Sequence, residues 1–219
     1  MRGVIFHPEH NTAPKSDATG AFIPHARAFA KLHDARVIGF DNRAPMGDRA
    51  QEVLDALRNL ETEVDFVAFA CHGAKTQIQA GFRIDDVPDL AEAIAMVARD
   101  GRIHVPLFAC DAARDADGKR EDDLELGPGG DGGFADALRD ELSATLSSVS
   151  VMAHVTEGHA FWNPFARTFE GPPAGKGGEW IIKPKSRLWS TWRTRLFASD
   201  LRYRFPFMSR EEIEAELSR

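Results

Sequence analysis

Two short apolar runs each stop on a side chain that can do chemistry. "FVAFACHG" (66–73) ends on His72 and Gly73, and "VPLFACDAA" (105–113) carries Cys110 at its close. A thiol becomes an effective nucleophile when a neighbouring base takes its proton, and imidazole is the side chain suited to that near neutral pH. If the two runs are neighbouring strands, His72 and Cys110 flank one crevice in which a substrate carbonyl can lie. The amides of Gly73 and Cys110 would then face the developing oxyanion, since glycine lets backbone approach a ligand closely. A cysteine closing an apolar strand is more often plain core, so the reading rests on the matched pair. Cys71, on the opposite side of the chain from His72 by strand alternation, is expected to be core.

Positioning such a pair takes a parallel sheet. "GVIF" (3–6), "RVIGF" (36–40), "DFVAFA" (65–70), "HVPLFA" (104–109) and "SVSVMAHV" (148–155) are near-continuous β-formers, the pattern of strands covered on both faces, with "EWIIK" (179–183) a sixth candidate. Between them, "IPHARAFAKLH", "DRAQEVLDALRNL", "VPDLAEAIAMVARD" and "FADALRDELSATL" repeat apolar residues at helical spacing. The order βαβαβαβαβ predicts an α/β three-layer sandwich, a mostly parallel sheet with helices on both faces. Ligands of such sheets sit at the carboxyl ends of the strands. His7, Asp41, His72, Cys110 and His154 all fall there.

The balance of 27 basic against 34 acidic residues, a formal net charge of -7, argues against a nucleic-acid or membrane-surface binder, because phosphate affinity rests on positive charge. Two cysteines make no disulfide framework, and "MRGVIFHPEH" has no secretory apolar region, so a cytoplasmic location is expected. No apolar run approaches the roughly 18 residues needed to span a bilayer. A catalytic domain over 1–170 and a basic, aromatic helical extension over 171–219 are expected. Between Lys176 and Arg204 the extension has eight Lys or Arg against Glu179 and Asp200. It suits either an acidic protein partner or a fold-back onto the acidic domain. "SRLWSTWRTRLFASDLRYRFPFM" and "SREEIEAELSR" read as two helices, the second opened by a Ser209/Glu212 capping box.

The "FACHG" and "FACDAA" segments, with "GPGGDGGFADALRDEL" and "VSVMAHV" after them, resemble the His-Gly and Ala-Cys motifs of the caspase-like cysteine peptidases, the group of caspases, clostripains and CHAT domains. The resemblance spans roughly residues 1–160. It implies His72 as general acid/base, Cys110 as nucleophile, Gly73 with the Cys110 amide as oxyanion site, a peptide or protein as substrate, and no cofactor. Asp111 and Ala112 depart from the small residue and glycine that often follow the cysteine in that family. The loop leaving strand five usually builds part of the specificity pocket, which makes His154, Thr156, Glu157 and His159 rim candidates beside Asp111. For His154 a core position is an equal reading, and Phe161, Trp162 and Phe165 are expected to close the core.

Asp111, Asp115, Asp117, Glu121, Asp122 and Asp123 form an acidic neighbourhood that would favour basic substrates. "GKRED", with Lys119 and Arg120, is a candidate self-processing site in the long polar stretch 114–133. Two other classes compete: a metal-dependent hydrolase built on His7, His10, Glu9, Asp41 and His154, and a caspase-like binding module without activity.

Overall fold

The computed structural model describes residues 2–11, 19–117 and 126–219; Lys119, Arg120, Glu121, Asp122 and Asp123 lie outside them. In chain order the elements are β1 (Gly3–Pro8), α1 (Thr19–His33), β2 (Ala35–Phe40), α2 (Met46–Arg58), β3 (Phe66–Ala70), the short strands β4 (Gly73–Ala74), β5 (Gln77–Ile78) and β6 (Phe82–Arg83), then α3 (Val87–Val97) and β7 (Arg102–Phe108). After these come α4 (Phe134–Ser143), β8 (Ser148–His154), β9 (Ala166–Gly171), β10 (Glu179–Trp180), α5 (Trp189–Ala198), α6 (Leu201–Arg204) and α7 (Arg210–Leu217).

Seven strands form one sheet in the order β10-β9-β8-β7-β3-β1-β2. The five from β2 to β8 are parallel, and β9 and β10 add antiparallel. Strands β1 and β3 are buried along their whole length, which is why their sequences are unbroken apolar runs rather than alternating ones. One face packs α2, α3 and α4 through Val53, Leu57, Leu90, Ile94, Leu138 and Leu142. The other packs α1 together with the C-terminal helices through Phe22, Phe29, Trp192, Leu196, Leu201 and Ile213. The result is the mostly parallel three-layer arrangement expected from the sequence.

Residues beyond 170 are built into this architecture. β10 is the sheet's seventh strand, and Trp192 is fully buried with its indole N–H donating to the Pro164 carbonyl at 3.0 Å. The single helix expected over 186–208 is interrupted: Ser199 is extended at φ -140°, ψ 177°, and its hydroxyl accepts the Leu201 amide at 3.2 Å. A serine that caps the next turn competes with continuing the previous one. The Ser209/Glu212 capping box opens α7. Part of the tail's basic excess is satisfied internally, since Arg195 and Arg204 both reach Glu216, at 2.5 and 3.6 Å.

The hairpins over 73–83 carry no readable periodicity because their strands are two residues long, and β9, ARTFEG, lacks an apolar run. Gly81 turns the β5–β6 hairpin at φ +103°, where a Cβ would lie 2.3 Å from the Met46 carbonyl on α2. No described helix is long and apolar enough to cross a membrane.

Burial holds the imidazoles of His104 and His154 down to about 4, against about 6.5 in an unfolded chain. Between those values the unfolded chain binds protons on both rings and the folded chain does not. The neutral rings therefore favour folding fully above about pH 6.5, and the contribution is lost as pH falls toward 4. Urea unfolding midpoints are predicted to drop steadily between about pH 7 and 4.5, and His154→Phe to flatten that slope. An identical slope in the variant would contradict the assignment.

Candidate active site

The site begins with a register. β3 and β7 are adjacent and parallel, with Ala70 opposite Phe108. His72 and Cys110 each lie two residues beyond those partners, so the sheet delivers both to the same place past its carboxyl edge. Alternation from Ala70 and Phe108, which face the α1 layer, turns both side chains toward that layer. The chain ends also touch directly. A Cβ on Gly73 would lie 2.7 Å from the Cys110 carbonyl oxygen and 2.8 Å from the Ala109 Cβ. Only a glycine lets the two backbones approach this closely. Cys71, fully buried on the opposite face, has its thiol pushed up to about 12 by burial.

His72 is half-buried. Its ring meets the edge of Phe22 on α1 at 5.1 Å and 90°, and its backbone is clasped by Gln79: the His72 amide donates to the Gln79 side-chain oxygen at 3.2 Å, and the Gln79 amide to the His72 carbonyl at 2.8 Å. The small hairpin thus holds the imidazole's backbone from outside the main sheet.

Cys110 is partly exposed, and its thiol donates to the Gly158 carbonyl at 3.3 Å. Burial first, then the charges of Asp111 and Glu157, push this thiol above its ordinary range. It therefore rests as a neutral thiol, and activation requires a base at the moment of attack. Asp111 follows at φ +57°, a left-handed conformation uncommon outside glycine and asparagine. It turns the chain sharply after the cysteine so that the Ala113 amide donates to the His154 carbonyl at 2.9 Å.

The rim candidates occupy different surroundings. Asp111 is largely buried and faces Arg114 at 3.7 Å. Glu157 is exposed beside Gly158. Thr156 holds the loop, its carbonyl accepting the Asn163 side-chain amide at 2.7 Å. His154 is 1% exposed, a core position, with neither ring nitrogen in hydrogen-bond geometry with a partner among the described residues. His159 stacks on Trp162 at 4.2 Å, and Phe161 stacks on Phe108 at 4.1 Å within the core.

Three groups at this edge escaped the sequence reading. Phe22 and His25 sit three apart on the inward face of α1, and the repeat Phe22, His25, Phe29 carries a readable helical signal. His25 accepts or donates through Nδ1 to the Tyr203 hydroxyl at 2.5 Å, tying α1 to the C-terminal segment. Burial, helped by His159 and Arg202, lowers its pKa to about 4. The Gly158 carbonyl has no side-chain signature at all.

Of the strand-end groups considered for metal binding, Glu9 and Asp41 both approach His10, Glu9 at 3.9 Å, while the buried His154 stands apart. His7 Nδ1 lies 2.9 Å from the Pro8 carbonyl, and His10 lies 3.3 Å from Asp41. Among the described residues no group of three or more His, Cys, Asp or Glu side chains is arranged to hold an ion.

Sequence comparisons return no matching family model and no matching characterised protein.

Gly73→Ala is predicted to destabilise the fold by about 1–3 kcal/mol, because the added methyl meets backbone that cannot yield. Gly47→Ala in α2, with nothing within 4 Å of its Cβ position, is the control and should be neutral or mildly stabilising. Equal urea midpoints for the two variants would contradict the close approach at Cys110.

Proposed function

We propose that this chain is a caspase-like cysteine peptidase, hydrolysing peptide bonds through an acyl-enzyme on Cys110. The observation that carries the reading is the equal offset of His72 and Cys110 beyond the paired residues Ala70 and Phe108. The tight fit of Gly73 against the Cys110 backbone supports it.

The chemistry follows from the resting thiol. Its proton points at the Gly158 carbonyl, so a substrate must accompany a turn of the Cys110 side chain toward His72. The imidazole takes the proton as Sγ attacks the scissile carbonyl, and the amides of Gly73 and Cys110 stabilise the oxyanion. Collapse expels the amine, to which His72 returns the proton, leaving a thioester. Water then attacks with His72 again as base, releasing the acid and restoring the thiol. Holding the sulfur neutral until substrate arrives limits oxidation, since the thiolate is the reactive form.

Glu157 is the carboxylate best placed to select substrate. It is exposed, its charge reaches the thiol, and it has no ion-pair partner among the described residues. Asp111 is committed to Arg114, so a basic side chain on the acyl side of the cut bond would be read mainly by Glu157.

A peptidyl acyloxymethyl ketone carrying Arg or Lys is predicted to add once to wild-type protein by intact mass, and not to Cys110→Ala or His72→Ala. Glu157→Lys should cut the preference for the basic over the neutral probe about tenfold, corresponding to about 1.4 kcal/mol, whatever common change in rate follows from its effect on the thiol. No adduct with basic, acidic or neutral probes on folded protein would overturn the peptidase reading. Equal slowing of both probes would overturn the role of Glu157.

A further inference from the structure

At the opposite end of the sheet lies a cavity of about 970 Å³ that the proposed chemistry does not use. Its floor is a row set by strand register. His104 on β7 is level with Ser150 on β8, which is level with Glu170 on β9, and Thr168 lies one pair along, level with Glu179 on β10. On this same sheet face, toward the carboxyl edge, Met152, Phe108 and Ala166 lie in the core beside the buried His154. The sheet face thus becomes more polar toward its amino edge, under the turn 205–207 and the start of α7, where the cavity opens.

The walls are apolar. Pro206 and Phe207 stand on one side and Pro172 and Pro173 on another, with the Phe207 ring 5.3 Å from that of His104. Half-buried His104 has its imidazole lowered to about 4, chiefly by desolvation of the ring. The carbonyls of Ser150 and Pro206 influence its ring, yet Nε2 is buried without a partner in hydrogen-bond geometry among the described residues.

Charge selects the occupant. Glu170 and Glu179 line the cavity without an ion-pair partner among the described residues, whereas Glu211 is held by its own amide and Ser209 beside Arg210, which also meets Glu214 at 3.1 Å. The lining thus carries three carboxylates against Lys176 and an Arg210 shared with Glu214 outside it. We propose that this cavity binds a short basic peptide segment in extended form, its backbone hydrogen-bonding to Ser150, Thr168 and His104 and its Arg or Lys side chains reaching the carboxylate rim. Methylene stems of such side chains would pack on the proline and phenylalanine walls while their charged ends stay wet. The inference is independent of peptidase activity, since no residue of the crevice takes part.

Fluorescence anisotropy of a capped, labelled hexapeptide alternating Arg with Val, titrated with full-length protein, should show saturable binding that weakens with added salt. The Glu analogue of the peptide should bind at least tenfold more weakly. In a Cys110→Ala background, which cannot cleave the peptide, Glu170→Lys with Glu179→Lys should lose at least tenfold affinity, and Ser150→Phe, which fills the floor, a similar amount, while Glu157→Lys at the crevice leaves the affinity unchanged. Absence of saturable binding, equal binding of the Glu peptide, or undiminished affinity in both cavity variants would each overturn the proposal. Loss of binding in Glu157→Lys with both cavity variants unaffected would do so too, by placing the peptide in the crevice.

Discussion

The parallel pairing of β3 with β7 is the constraint on which the proposed chemistry depends. In that pair the register of Ala70 with Phe108 is fixed by burial, because a slip of one residue would turn a fully buried strand's side chains onto the wrong layers. Once the register is set, His72 and Cys110 emerge together and onto the same face. No long side chain has to span a gap, and no flexible loop has to be ordered to bring imidazole and thiol to one edge.

The surrounding structure refines that placement. The hairpin after β3 clasps the His72 backbone through Gln79, and α1 supplies the Phe22 edge against its ring. The C-terminal segment locks α1 in turn through the Tyr203 to His25 hydrogen bond. A segment read from composition as an appendage therefore contributes to the layer that borders the crevice. The same segment, through Phe207 and Pro206, also walls the cavity at the far end of the sheet. One layer thus shapes two separate concavities, one bordered by Glu157 and the other by Glu170, Glu179 and Glu211.

Much of this was legible in sequence because it rests on long-period signals. Continuous apolar runs identified the buried parallel strands, and their polar ends pointed to His72, Gly73 and Cys110 as the residues to examine. The Ser209/Glu212 box was readable because a cap is a local hydrogen-bond pattern. What was not legible depends on distant partners or on backbone. The sequence leaves His154 balanced between core and rim, and only the packing around β8 buries it. Asp111 was a candidate for the rim until its left-handed turn and Arg114 engaged it. The Gly158 carbonyl, which receives the thiol, is backbone and leaves no mark in residue type. Ser199, which splits the tail helix, is unremarkable in composition and decisive in conformation.

The central claim is that the β3–β7 register makes His72 the base for Cys110. The most direct measurement is the rate at which iodoacetamide alkylates Cys110 near neutral pH, followed by intact mass in wild type and His72→Ala, with unchanged folding checked by circular dichroism. Because burial and two carboxylates disfavour the thiolate, the account predicts that wild type reacts at least about tenfold faster than the variant. Equal rates would mean that the imidazole does not serve this thiol, and the dyad would be contradicted.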